Sequence, residues 1–343
     1  MLGNCWSTLP KCNRGSARLM KIAQLNAGVI QVSDFDATAP TEEEYSKIKE
    51  LVFENLIVVL KTNTIKAHYL NRIVSKIGDI GNDGEMRWWE DGRWYVKELS
   101  PMHVFPSDPW KVPENQPYPV QRVTGEKDKD GEYTGIFQKG RLDWHCNLNH
   151  IYLNDGVALH GIKDVEGTVT SWMNTKIALD EMPKDLYAKI KDKVAVYRYN
   201  PAAWGQESDY RAMDWKTQGG KALLPYAMSL EQHNEVGVKG IYIHPFNDMH
   251  IIDDDDKTLF QELYDYLFQE KFIYHHQWEV GDIVLSDQLL TQHKRQDYSD
   301  EVLEKRVLHR VTFALSNQNG GILRRNSKYQ SLAKDYRGND LSS

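Results

Sequence analysis

From Val120 to Leu315 the chain reads as many short strand candidates broken by turns, with a single clear helix among them. Strands this short cannot each bury a face alone, so they must fold back as two packed sheets or a closed barrel. Arg306 to Leu315 alternates cleanly between apolar and polar residues, and Asp282 to Asp287 follows a turn at Val280-Gly281. Ahead of this region, Thr41-Glu42-Glu43-Glu44 reads as a capping box opening a helix. That helix carries Tyr45, Ile48, Val52 and Phe53 at helical spacing. Leu56 to Leu60 predicts a short buried strand, and a second helix places Leu70, Ile73, Val74 and Ile77 on one stripe. The expected fold is mainly β with flanking helices, a double-sheet roll of the jelly-roll type.

Three segments stand apart from that core. Residues 1–19 hold Lys11, Arg14 and Arg18, and the first acidic residue of the chain is Asp34. They read as a leader without a fold of its own, ahead of a natural start at Met20, although a transit peptide has a similar composition. Residues 81–119 form an irregular, aromatic-rich insertion with Trp88, Trp89, Trp94 and Trp110. Such a stretch covers a site or packs as a satellite core. Residues 321–343 read as a polar C-terminal tail, leaving 20–320 as one domain. The remaining helix spans about Lys257 to Gln269, with Leu259, Leu263, Tyr266 and Leu267 inward. The acidic run Asp253 to Asp256 ahead of it reads as solvated charge at a helix N-terminus rather than as a calcium site.

Bulk properties narrow the classes of function. Hydrophobic residues are 41% and charged residues 27% of the 343, an ordinary globular balance. The longest apolar run, Leu56 to Leu60, is far too short to cross a bilayer. The net charge of −7 argues against a nucleic-acid partner held by phosphate contacts. Three cysteines, Cys5, Cys12 and Cys146, form no disulfide framework and fit a reducing, cytoplasmic setting. A small-molecule substrate is expected, with no membrane partner, and homo-oligomerisation is left open.

The candidate chemistry lies in three separated pieces. In Asp143-Trp144-His145-Cys146-Asn147, strand alternation puts Asp143, His145 and Asn147 on one polar face, which is costly to bury without partners or a metal. Asn149 follows on the same alternation as a candidate substrate contact. Thr291-Gln292-His293 comes just after the Asp282–Asp287 strand. In Arg306-Val307-Leu308-His309-Arg310, the two arginines share a face with Cα atoms roughly 13 Å apart. Inward guanidinium groups require anions, and arginine is suited to gripping a carboxylate with paired hydrogen bonds.

The order of these pieces resembles the taurine dioxygenase and 2,4-dichlorophenoxyacetate dioxygenase (TauD/TfdA-like) family. The similarity runs with gaps from about Leu25 to Leu315. The stretch Ile283-Val284-Leu285-Ser286-Asp287 followed by Thr291-Gln292-His293 is similar to that family's strand ending in Asp-Asn and its Thr-Gln-His. Lys305-Arg306-Val307-Leu308-His309-Arg310 resembles its closing Arg-Arg-x-x-His-Arg. The resemblance implies a double-stranded β-helix of the clavaminate synthase-like type that uses Fe(II), 2-oxoglutarate and O₂. It implies that His145 and His293 bind iron and that Arg306 binds the far carboxylate of 2-oxoglutarate, with Thr170 as its hydrogen-bonding helper. Arg310 is implied near the anionic end of the substrate, and His309 in packing. The implied reaction hydroxylates a small, anionic organic substrate and releases succinate and CO₂.

One position departs from the family motif, His-x-Asp or His-x-Glu: the third residue here is Asn147. Its amide oxygen is neutral and a weaker donor to a hard cation than a carboxylate. Three readings stay open. Asn147 ligates through oxygen and iron is held more loosely; or it does not ligate and the iron site is open, as in related halogenases; or the site is degenerate and the protein binds 2-oxoglutarate or another small molecule without turnover. The first is preferred because His145, His293, Arg306 and Thr170 all persist. Asp143 is a candidate neighbour or substitute ligand.

Overall fold

The computed structural model describes residues 20–80, 85–90, 93–98, 120–131, 133–147, 154–198, 226–245, 248–255, 257–315 and 321–335. The expected leader, residues 1–19, lies outside these.

Two facing sheets form the body. The larger, of eight strands, has Ile57–Lys61, Asp282–Asp287, Gly156–Lys163 and Val307–Ala314 as consecutive neighbours at its centre. The smaller, of four, runs Ile273–Gln277, Val169–Asn174, Thr291–Arg295 and Leu142–His145 in that order. This is the jelly-roll arrangement expected from the strand pattern.

Period-two alternation sorts each central strand into two cores. Val59, Val284, Val157, Leu159 and Leu308 join Trp144 and Trp172 in the core between the sheets. Val58, Leu60, Ile283, Leu285, Ala158, Val311 and Phe313 turn the other way, onto a second core. Strands apolar on both faces must be covered on both, and here helices supply the outer cover. The Glu42–Asn55 helix begins with the predicted box: Thr41 Oγ1 accepts from Glu44 N–H, and the Glu44 carboxylate accepts from Thr41 N–H at 2.7 Å. It buries Tyr45, Ile48, Val52 and Phe53, while the Ala67–Ile77 helix buries Leu70, Ile73, Val74 and Ile77, all as the spacing predicts.

The helix expected at about 257–269 spans Thr258–Leu267, with Leu263 and Leu267 buried and Leu259 and Tyr266 packed partly against the core. Its acidic prelude has a concrete job: the Asp254 carboxylate accepts from Leu259 N–H and Phe260 N–H at 2.9 and 2.8 Å. Among the described residues, no group of three or more His, Cys, Asp or Glu side chains is placed to hold a metal ion.

Two segments carry more order than their sequences indicate. Within the aromatic-rich insertion, Glu85–Glu90 and Arg93–Glu98 pair as an antiparallel hairpin; Trp110 lies outside the described residues. Within the polar C-terminal segment, Gly321–Asn326 and Gln330–Asp335 are helical. Ile322 and Ala333 are buried there, and Gln330 hydrogen-bonds the backbone of Ala227 in both directions. None of the described helices is long and apolar enough to cross a membrane.

Candidate active site

The small sheet brings the two candidate imidazoles together. His145 ends the Leu142–His145 strand, and its cross-strand partner on Thr291–Arg295 is His293. Their ring centroids are 4.2 Å apart. Residues opposite each other on antiparallel strands are neighbours whatever their separation in sequence. The Asp143 backbone carbonyl lies 2.6 Å from His145 Nδ1, which fixes the proton on Nδ1 and leaves Nε2 with its lone pair. His293 stacks at 6.2 Å on Trp172, which is fully buried. Burial pushes the His145 pKa down to about 4 and that of His293 well below its ordinary value, with the Arg310 charge acting in the same direction. Both rings are therefore neutral at pH 7, the state that binds a metal.

Asp143 does not join them. The strand ends at His145, so the alternation that would align Asp143, His145 and Asn147 is cut short. The Asp143 carboxylate is exposed and pairs with Arg141 Nε at 3.2 Å; only its backbone carbonyl serves the site. Asn147 is half-buried, and its amide nitrogen donates to Gln288 Oε1 at 3.2 Å. Asn149 lies outside the described residues.

His145, Asn147, Thr170, His293, Arg306 and Arg310 all line one cavity of about 400 Å³, counting its open mouth. Arg306 is 2% exposed, and its Nε donates to Thr168 Oγ1 at 3.0 Å. Its Nη2 is buried with no hydrogen-bond partner, and burial lowers its pKa to about 9. A buried guanidinium edge without an acceptor is costly unless an anion completes it. Thr170 Oγ1 accepts from Trp278 Nε1–H at 2.9 Å; the threonine that hydrogen-bonds Arg306 is Thr168, just ahead of the Val169–Asn174 strand. Arg310 donates to the Gln121 side-chain oxygen.

Arg295 and Gln288, which the sequence reading missed, adjoin the candidate site as well, Arg295 on the cavity wall and Gln288 against Asn147. Arg295 lines the cavity, is 5% exposed, and donates to the carbonyls of Phe137 and Lys139 at 2.6 and 2.8 Å. Its signal was available: it lies two residues beyond His293, on the same strand face. Gln288 carries no such signal, because its partner Asn147 belongs to a distant segment. His309 is buried away from the cavity, edge-on to His160 at 6.4 Å, in keeping with a packing role.

Neutral imidazoles suit a divalent first-row metal, and a buried, unmatched guanidinium edge suits a carboxylate. The donor set present therefore fits both groups. Comparison with known proteins points the same way. Residues 24–312 match the model of the taurine catabolism dioxygenase TauD, TfdA family. The chain belongs to that family. Among TauD/TfdA relatives, the (S)-phenoxypropionate/α-ketoglutarate dioxygenase of Sphingobium herbicidovorans is 25% identical over 179 residues, spanning 50% of this chain and 61% of that enzyme. Pentalenolactone F synthase of Streptomyces arenae is 31% identical over 85 residues, 24% of this chain and 28% of that one. The chain thus covers less than two thirds of the length of these relatives. In three dimensions the TauD/TfdA fold is shared with AAD-2, whose crystal structure holds Mn(II) and N-oxalylglycine. There the TM-score is 0.60 at 17% identity, over 86% of this chain and 97% of that one. A taurine dioxygenase from Burkholderia xenovorans gives 0.59 at 16%, over 86% and 89%.

Proposed function

We propose that this TauD/TfdA protein is an Fe(II)- and 2-oxoglutarate-dependent oxygenase that hydroxylates a small organic molecule bearing an anionic group. The observation that carries the proposal is Arg306: a buried guanidinium whose Nη2 has no hydrogen-bond partner, on a residue that lines the same cavity as two neutral, adjacent imidazoles.

In this reading His145, His293 and the Asn147 amide oxygen hold the metal. Arg306 grips the far carboxylate of 2-oxoglutarate, with the Thr170 hydroxyl as a second donor; Thr168 holds the Arg306 head in place. O₂ is the oxidant: 2-oxoglutarate supplies two of its four electrons and takes one oxygen atom on becoming succinate and CO₂, the substrate C–H bond supplies the other two and takes the second atom as hydroxyl, and a metal bound by these residues would supply the activation of O₂. The protein contributes exclusion of water, since His145, Thr170, His293 and Arg306 are all below 10% exposed. Low local polarity strengthens the Arg306–carboxylate contact. Arg310 faces the anionic end of the substrate, and Phe137, Leu142, Leu159 and Leu308 give that substrate an apolar wall. Asn149 is proposed as a further substrate contact. A cytoplasmic location is proposed with this function.

The hydroxylase reading is favoured over the open-site, halogenase-like one by Asn147, whose side chain is held at the cavity wall by Gln288 rather than free to leave it. The test is succinate formation from 2-oxoglutarate when anaerobically Fe(II)-loaded protein is exposed to O₂ with a library of small carboxylates and sulfonates. Succinate above a His145→Ala control supports the enzyme. None above that control leaves a 2-oxoglutarate-binding protein, and a chlorinated product in chloride buffer moves the assignment to a halogenase.

A further inference from the structure

An amide at a metal-binding position works only if its oxygen, and not its NH₂ group, meets the cation. A buried polar chain behind Asn147 fixes which of the two does. Gln288 Oε1 lies 3.0 Å from the Asn147 backbone nitrogen and 3.2 Å from Asn147 Nδ2. A backbone N–H can only donate, so the Gln288 atom facing it must be the oxygen. Gln288 Nε2 then donates to Ser286 Oγ at 3.1 Å, and Ser286 Oγ also accepts from Trp172 Nε1–H, another obligate donor, at 3.2 Å. Gln288, Ser286 and Trp172 are 0% exposed, so no solvent competes for these groups.

The backbone around Gln288 is equally fixed. Gln288 N–H donates to the Asp155 carbonyl at 2.7 Å, and Asp287 Oδ1 accepts from Leu289 N–H and Leu290 N–H at 2.7 and 2.8 Å. Because Gln288 Oε1 can receive only a donor from the Asn147 side chain, the NH₂ of Asn147 is held toward Gln288. Its oxygen is left on the other side of the amide, and Asn147 lines the cavity with both imidazoles.

We propose that Gln288 is a positioning residue that orients the Asn147 amide oxygen toward the metal position, so that 147 and 288 are matched as a pair of amides. This rests on the reading of Asn147 as a ligand. A carboxylate at 147 would set oxygen against Gln288 Oε1, and it needs no orienting because its two oxygens are equivalent. The pairing therefore predicts a coupling of definite sign between the two positions.

The experiment is a double-mutant cycle of Mn(II) affinity by calorimetry on the full chain: wild type, Gln288→Met, Asn147→Asp and the double variant, with thermal melts to establish folding. Gln288→Met is expected to weaken Mn(II) roughly tenfold or more, the usual loss when a ligand's supporting partner is removed. In the Asn147→Asp background the same change is expected to cost nothing or to tighten binding. Gln288→Glu, which keeps an acceptor oxygen at the same place, is expected not to weaken binding, and it carries the test if Gln288→Met fails to fold. Equal losses in both backgrounds, no loss in either, or weakening by Gln288→Glu would overturn the role of Gln288 while leaving the metal site standing. Wild-type protein that binds no Mn(II) would overturn the metal reading and this inference with it.

Discussion

Arg306 and Thr168 are joined by one hydrogen bond of 3.0 Å, from Nε to Oγ1, while the Nη2 of the same guanidinium has no hydrogen-bond partner. One edge of the head is thus anchored by the protein, and in the proposed function the other meets the co-substrate carboxylate. Arg306→Lys keeps the charge but loses the fork and the anchor. Hydrogen bonds to charged groups contribute about 1.5–3 kcal/mol each, so 2-oxoglutarate binding is expected to weaken by about tenfold to a hundredfold. Calorimetric titration of Mn(II)-loaded protein measures this, and an unchanged affinity would remove Arg306 from the co-substrate site.

Buried histidines set the response to acid. Burial lowers the His160 pKa to about 4 and that of His309 to about 3 from an ordinary 6.5. Both are neutral in the fold but take up protons in the unfolded chain once pH falls below about 6.5. The unfolded state then binds more protons, so stability is full above 6.5 and is lost progressively as pH falls toward 4. At about 1.4 kcal/mol per unit, His160 alone accounts for a loss on the order of 3 kcal/mol. Asp287 acts in the opposite sense: burial beside Asp155 raises its pKa to about 8, so its contribution is lost as pH rises toward 8. The two histidines outweigh it between pH 4 and 6.5. Urea midpoints at pH 7 and pH 5 are expected to differ by this sign, and His160→Gln, which can still donate to the Thr64 carbonyl now 2.7 Å from His160 Nε2, is expected to flatten the slope.

A tight turn ahead of the Asp282–Asp287 strand depends on glycine. Gly281 has φ +94, and a Cβ there would lie 2.4 Å from the Thr62 carbonyl oxygen. Gly281→Ala is expected to cost about 1–3 kcal/mol from backbone conformation alone, with the clash in addition. None of these residues lines the cavity, so the variant is expected to lose stability in urea while its Mn(II) affinity stays at the wild-type value.

How much of this was legible in the sequence follows the range of the interactions. The capping box at Thr41 and the stripes on the first two helices are local patterns, and the structure reproduces them residue by residue. The strands Asp282–Asp287 and Val307–Ala314 announced themselves by turn and alternation. The gathering of His145, His293, Arg306 and Thr170 was legible only through resemblance, because strand register across the small sheet is written in no local period. For the same reason Gln288 was invisible: nothing near it in sequence names Asn147 as its partner. Arg295 was visible in principle, on the face of His293, but a lone arginine beside a histidine points to nothing until Phe137 and Lys139 are seen beneath it. The helices after Gly321 were hidden by their polarity, since among their described residues Ile322 and Ala333 are the buried hydrophobic ones and the third buried residue, Asn326, is polar.

The central claim is that His145 and His293, cross-strand neighbours with ring centroids 4.2 Å apart, share one metal ion. Calorimetric titration of the full chain with Mn(II) at pH 7.0 or above (~7.5) tests it most directly. The expected result is one ion per chain for wild type, with binding abolished in both His145→Ala and His293→Ala while each variant melts cooperatively. Binding that survives either substitution unchanged would contradict it.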